Sequence, residues 1–286
     1  MSESSPVPSV PALPLEIIGN IIDMLVDDGT NDLQHVKAFS LTCQSFLPLC
    51  RKHLFFSVHV IITNTGMRYA HRSEEFGYLL RDTPVIARYI RRLEIRLYIV
   101  HPQPTVLYFP GCIPRLLTRL QLLVLVNEQR EDPWYIKNWN SIPPLIQHSL
   151  LSLMHLPTLN SLDLKWIDNF PISSLITCTN IKHLSAQRLN ITGENDDTAF
   201  PLSYNPMQLQ SFEISLRYPE QLRLLAARCL DGRPVLDFTG LEKIIVRFPK
   251  AEMDPVVPIQ DVFRRTQQLT DIHLSGNEVL NIRFTC

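Results

Sequence analysis

The sequence predicts an α/β chain: an N-terminal unit of three helices, then an irregular αβ solenoid of short strands joined by helical or irregular returns. Three observations carry this expectation. Apolar residues recur at three- and four-residue spacing from Leu13 to Leu41, as one face of a helix requires. Behind them a six-residue template, apolar-x-x-apolar-x-apolar, returns seven times. Finally, 45 % of the 286 residues are hydrophobic, enough for a substantial core in one or two domains. The expected boundaries are a disordered N-terminus over residues 1–10, a helical domain over 11–58 and a solenoid over 59–286.

The first residues, "MSESSPVPSVPA", are rich in Ser and Pro and lack the basic and apolar regions of a secretory signal,. The first helix follows. Pro14 suits its first turn, where a missing N–H costs nothing, and Glu16 places a carboxylate near the positive end of the helix dipole,. Ile17, Ile18, Ile21, Ile22, Leu25 and Val26 then make an apolar stripe two residues wide. "DDGTND" ends this helix and opens the next, with Asn31 as N-cap and Gln34 in the capping-box position,. The second helix, about Asp32 to Leu41, carries Leu33, Val36, Ala38, Phe39 and Leu41. Ser45 is placed to cap a third, with Pro48 tolerated in its first turn and Arg51, Lys52 and His53 at its negative end,. Units of roughly 45 residues bury only a modest fraction of their surface. The doubled stripe therefore implies a second contact, either with the chain's own C-terminal domain or with a partner.

From Pro11 to Val58 the sequence "ALPLEIIGNIIDML…DLQHVKAFSLTCQSFLPLCRKHLFFSV" resembles the F-box. The likeness rests on Leu-Pro, then Glu, paired aliphatics and Leu, followed by an aliphatic helix. It continues through an S-L-x-C-x-S-aromatic joint to a closing H-L-F. Phe46 stands where the F-box most often has Trp. The resemblance implies docking on a Skp-type adaptor, and through it on a cullin–RING ubiquitin ligase. By that likeness Leu13, Pro14, Ile18, Ile22, Phe39, Leu41 and Phe46 match positions near the adaptor or supporting its surface. Spacing does not decide which member of each isoleucine pair faces out; the resemblance favours Ile18 and Ile22 as the outward row over Ile17 and Ile21.

From His53 the texture changes. "HLFFSVHVII" alternates apolar residues at Phe56, Val58, Val60 and Ile62, as a strand does,. The template then begins at Ile90, Leu120, Leu159, Ile181, Leu209, Leu241 and Leu269, at intervals of 30, 39, 22, 28, 32 and 28 residues. Each copy fits a short strand, with "SEEFGYLLRDT" and "PPLIQHSLLSLMHL" among the returns. Such a unit buries its core by stacking on its neighbours, which is how a leucine-rich-repeat solenoid works. "LTDIHLSGNEV" places Asn277 at the asparagine position of that repeat, a position the other copies mostly leave unfilled. "FGYLLRDTPVIARYIRRLEI" and "SLLSLMHLPTLNSLDL" are similar to the F-box proteins with degenerate leucine-rich repeats that are abundant in mushroom-forming fungi. After Leu274 either "EVLNIRF" closes the arc as a last strand, the preferred expectation, or the sequence is a truncated gene model.

Several function classes lose support. Net charge is −1 and the pI is near neutral, without the basic signature of a nucleic-acid binder. The apolar run "LQLLVLV" is too short to cross a membrane,. Cys43, Cys50, Cys112, Cys178, Cys229 and Cys286 lie far apart with no C-x-x-C, so no zinc module such as a RING is legible. They read as free thiols of an intracellular protein, cytoplasmic or nuclear. Nine glycines form no phosphate-cradling loop, and no G-x-S-x-G marks a nucleophile,. No cofactor and no catalytic residue are expected.

Arg88, Arg91, Arg92 and Arg96 have the chemistry to bind an anion, but read as the solvated face of a helix-to-strand junction with Ile90, Leu93 and Ile95 pointing in. "GENDD", Gly193 to Asp197, reads as a solvated loop. Trp134, Tyr135 and Trp139, in the longest interval, read as a clamp holding that insertion to the solenoid rather than as a partner anchor,.

The functional expectation is a substrate-recognition adaptor of a Skp–cullin–F-box ubiquitin ligase, its arc holding an unknown target protein. An alternative stays open: a non-ligase interaction scaffold whose helical unit caps the solenoid.

Overall fold

The computed structural model describes residues 13–27, 33–63, 72–98, 109–127, 138–192, 206–215, 236–247, 266, 269–275 and 279–283. The chain divides into two compact units, residues 1–57 and 58–286. Asn31, Trp134, Tyr135, the 193–197 segment and Asn277 lie outside the described residues.

The first unit holds α1 (Leu15–Asp27), α2 (Gln34–Ser40), a 3-10 turn (Gln44–Phe46) and α3 (Leu47–Leu54). Ile18, Ile22, Val36 and Cys50 are buried at its centre, ringed by half-buried Val26, Leu33, Phe39, Phe46, Leu49 and Leu54. Phe39 and Phe46 stack with ring centroids 5.0 Å apart. On the rim, Asp23 Oδ1 lies 2.7 Å from both Lys52 Nζ and His53 Nε2, tying α1 to α3. Ser45 does not cap α3. Cys43 is extended and starts the 3-10 turn, which absorbs Ser45, so the position before α3 falls to Phe46 without a side-chain cap. Pro48 does lie in the first turn. Leu33 precedes α2, also with no side-chain cap.

The second unit begins with β1 (Ser57–Thr63), α4 (Arg72–Asp82), α5 (Pro84–Ala87), β2 (Arg92–Tyr98), α6 (Ile113–Leu116) and β3 (Leu122–Asn127). A 3-10 turn (Trp139–Ser141) and α7 (Pro144–Met154) lead into β4 (Ser161–Lys165), β5 (Phe170–Pro171), α8 (Ser173–Ile176), β6 (His183–Gln187) and β7 (Ile191–Thr192). The chain continues through β8 (Met207–Gln208), β9 (Ser211–Ser215), β10 (Leu236–Asp237), β11 (Lys243–Arg247), β12 (Asp271–Ser275) and β13 (Val279–Arg283).

Among the described residues these strands make a nine-stranded sheet in the order β1-β2-β3-β4-β6-β9-β11-β12-β13. Each of the seven template copies supplies one strand, and those seven run parallel in chain order without a slip. β13 turns back antiparallel to β12. The class is α/β with a parallel sheet.

The template explains the register. A strand points alternate side chains to opposite faces, so its second and third apolar positions share one face. Leu93, Leu123, Leu162, Leu184, Phe212, Ile244 and Ile272 align as one buried ladder. Ile95, Leu125, Leu164, Ala186, Ile214 and Val246 make a second, and the leading residues Ile90, Leu120, Leu159, Ile181, Leu209 and Leu241 are buried at the strand starts. A fully buried aliphatic side chain contributes about 1.5–3 kcal/mol, and a one-residue slip would turn both strand ladders to the open face.

A backbone device repeats with the side chains. The carbonyl after each leading residue accepts two N–H groups from the next copy, as Arg91 does from Gln121 and Leu122 at 2.8 and 2.9 Å. Gln121, Asn160, Lys182, Gln210 and Glu242 do the same. Trp166 and Arg188, immediately after β4 and β6, adopt φ of 56° and 51°. This left-handed bend, unusual for such residues, takes the chain off the sheet. Each then donates its N–H to the last carbonyl of the neighbouring strand, Gln187 or Ser215.

Behind the sheet, α4 packs against α5 and α6. Gly77 permits that approach: a Cβ there would fall 2.2 Å from Pro110 Cγ. Trp139 is buried, meets Phe170 edge-on at 4.9 Å between centroids, and accepts a bond from Gln147 Nε2 on its carbonyl. For this residue the clamp is what forms.

Candidate functional site

Two surfaces stand out, one in each unit. On the first unit it is apolar. Leu13, Ile17, Ile21 and Met24, spaced by four, four and three residues, are 61 %, 44 %, 40 % and 73 % exposed. On a helix this spacing keeps them on one side. Leu41, after α2, is 87 % exposed. Ile18 and Ile22 are only 8 % and 0 % exposed.

The expected row assignment is thereby reversed: Ile17 and Ile21 face outward, and Ile18 and Ile22 fill the core. Two neighbours on α1 mark the side of the helix that meets α3. Asp23 reaches Lys52 and His53 on α3, and a Cβ at Gly19 would already lie 4.0 Å from Leu49 Cδ2. Both sit beside Ile22 on the helix surface, so that side meets α3. Of the other expected residues, Leu13, Pro14 and Leu41 are exposed, while Phe39 and Phe46 are half-buried. Leu15, which is 50 % exposed, Met24 and the outward isoleucines are exposed apolar residues of α1 outside the expected set.

Lys52 holds the Asp23 carboxyl below the usual carboxylate range, helped by His53 and opposed by partial burial. The exposed Cys43 thiol is lowered by its hydrogen bonds to Ser45 and the Phe46 backbone.

On the second unit the surface is the open face of the sheet, made by the residues between the ladders. Register places Arg92, Glu94 and Arg96 beside Leu122, Val124 and Val126, and those beside Ser161, Asp163 and Lys165. Farther along come His183, Ser185 and Gln187, then Ser211, Glu213 and Ser215, then Lys243, Ile245 and Arg247. Carboxylates of the middle row are paired. Glu94 Oε1 takes Arg96 at 2.7 Å, and its Oε2 takes His59 at 3.3 Å and Arg92 at 3.4 Å. Asp163 pairs with Lys165 at 2.9 Å and Glu213 with Arg247 at 2.9 Å. Burial pushes the Glu94 carboxyl up, but the bonds and charges of Arg96, His59 and Arg92 outweigh it and hold the group low.

The four arginines singled out in the sequence therefore separate. Arg92 and Arg96 lie on the open face with Glu94, while Arg91 donates from Nη1 to the Arg119 carbonyl at 3.0 Å and Arg88 caps the exposed end of α5. Ile90, Leu93 and Ile95 do point inward.

Chemically these are surfaces for contact. Among the described residues no group of three or more His, Cys, Asp and Glu could hold a metal ion. The described cysteines, Cys43, Cys50, Cys112 and Cys178, are unpaired, and burial pushes Cys178 up to about 12. His155 Nε2 meets Thr177 Oγ1, and burial lowers its imidazole. No described helix is long and apolar enough to cross a membrane.

No known protein-family model matches the chain, and no curated protein matches it.

Proposed function

We propose that the chain is a non-catalytic receptor subunit of a Skp–cullin–F-box ubiquitin ligase. In this reading residues 11–58 are an F-box that docks on the Skp-type adaptor, and the second unit is a degenerate leucine-rich-repeat arc that holds a target protein. The supporting observation is the exposed row of Leu13, Ile17, Ile21 and Met24, with Leu41, on a helical unit whose small core is already filled by Ile18, Ile22, Val36 and Cys50. Contiguous apolar surface of this kind marks interaction sites, and its centre excludes charge, as interface cores do. Phe39 and Phe46 stack across the joint between α2 and α3 and pack on the core behind the row.

The mechanism is proximity. One unit holds the ligase and the other the target, so that ubiquitin transfer by a separate enzyme becomes effectively intramolecular. No reacting group is needed in this chain.

Co-purification with a Skp-type adaptor tests the reading. The unmutated chain is expected to bind, and Ile17→Asp with Ile21→Asp to abolish binding while helix content is kept. A folded, unmutated chain that does not bind the adaptor overturns the proposal. Binding indifferent to both substitutions overturns the placement of the surface.

A further inference from the structure

Between Pro84 and Asn127 the sequence carries six arginines, no lysine and a single acid, Glu94. The fold sorts them. Arg92 and Arg96 pair with Glu94 on the open face of the sheet. Arg88, Arg91, Arg115 and Arg119 gather instead where the chain enters β2 and β3. The pairing of Arg92 with Leu122 sets the two strand starts side by side. The Arg91 carbonyl accepts from Gln121 and Leu122, and its guanidinium reaches the Arg119 carbonyl. Arg88 follows α5 and Arg115 lies in the last turn of α6, two short helices that pack on the same α4. Arg88, Arg115 and Arg119 are exposed and Arg91 is half-exposed. Among the described residues none of the four is paired with a carboxylate.

We propose that this margin is a docking site for an acidic segment of a partner protein, whose Asp and Glu carboxylates are taken by the guanidinium groups. Four cations with no carboxylate partner among the described residues repel one another, and an incoming anion relieves that repulsion while gaining their summed field. Arginine suits the task because its planar fork can grip a carboxylate through two parallel N–H donors. The extent of the patch selects a protein segment over a nucleic acid. The residue that follows each leading apolar position is Arg91, then Gln121, Asn160, Lys182, Gln210 and Glu242. Past the second repeat that margin carries a lone cation, Lys182, and reaches an acid at Glu242, where a phosphate backbone would call for a continuous cationic track. A ligase receptor and a plain scaffold both need a surface for the protein they hold, so the site does not depend on adaptor docking.

The test uses the full chain and a dye-labelled polyglutamate peptide, followed by fluorescence anisotropy. Binding is expected at low salt and is expected to fade as ionic strength rises. Arg88→Ala, Arg115→Ala and Arg119→Ala together are expected to weaken it about tenfold or more. The same loss of charge through Lys182→Ala, Lys243→Ala and Arg247→Ala is expected to change it by less than about twofold. Arg91 is left intact because its bond to Arg119 supports the turn. Replacing Arg88, Arg115 and Arg119 with Lys keeps the charge and the fold, and is expected to lose about threefold through the missing forks. No binding by the unmutated chain, or equal losses in the two alanine triples, overturns the proposal. Tighter capture of duplex DNA or of phosphatidylserine vesicles than of polyglutamate, lost with the same arginines, overturns the choice of partner.

Discussion

The two units solve the same burial problem in opposite ways. The second unit spends its apolar residues inward: its ladders place one side chain from each successive strand behind the sheet, and the open face is left largely to charged and hydroxyl groups. The first unit carries nearly twice the apolar width that its core can accept, and shows the remainder as Leu13, Ile17, Ile21 and Met24. A repeating sheet can grow until its apolar residues are used. A closed three-helix unit cannot, so its surplus must meet something else or remain in water. The difference teaches where to look for partners: an apolar partner surface for the helices, a polar and charged one for the sheet.

The largest expected effect lies in the ladders. Phe212 is buried at the middle of β9 and packs against Phe238 at 5.7 Å between centroids. Truncation of such a ring removes about 3–5 kcal/mol. Since each repeat leans on its neighbours, Phe212→Ala is expected to speed hydrogen exchange first in β6 and β11. Amides of α1 to α3 should keep their protection. If they lose it by the same factor, the chain unfolds as one body and the comparison of two units fails.

A sharper test sits within one helix. Ile22→Ala empties a buried site and is expected to cost about 2–5 kcal/mol, a large share of the stability of so small a unit. Ile21→Ala, one residue away, is expected to stay within about 0.5 kcal/mol. Chemical denaturation followed by helical circular dichroism reads both. Equal losses would mean that the two rows share the core and that no outward surface exists.

Why the sequence showed one unit so much more fully follows from the same contrast. In the second unit each copy alternates, so Leu93 and Ile95 are set apart from Glu94 and Arg96 by chemistry alone, and the repeated pattern fixes register as well as face. In α1 both rows are isoleucine, and a periodicity satisfied twice cannot choose between them. The side that meets α3 is marked by Asp23, whose partners Lys52 and His53 are distant in sequence. No residue of α1 signals this side in sequence, since even Gly19 would take a Cβ at ordinary contact distance, 4.0 Å from Leu49 Cδ2. The left-handed residues Trp166 and Arg188 and the two-residue ladders β5–β7 and β8–β10 had no such signal. Long-range hydrogen bonds impose them. The Arg88–Arg119 margin was half visible: the sequence showed clustered arginine, but only strand pairing divides the residues held by Glu94 from those left over.

The smallest effect separates the units by acid sensitivity. Asp23 and Glu94 both have lowered carboxyls, so each contributes stability that is present above the unfolded-state pKa and lost as pH falls through the folded one,. The window therefore opens near the ordinary carboxylate value and extends below it. The Asp23 side chain is 46 % exposed, so solvent and salt screen its pair with Lys52, whereas that of Glu94 is 8 % exposed between Arg92 and Arg96. Salt should therefore flatten the acid response of the helical unit and leave that of the sheet largely intact. Asp23→Asn is expected to remove part of the first response, and Glu94→Gln part of the second. Acid titration at low and high salt, read by amide exchange in α1 and in β2, measures both. Equal salt sensitivity at the two sites would show that Glu94 is as open to solvent as Asp23, and that the charged face of the sheet is softer than its register implies.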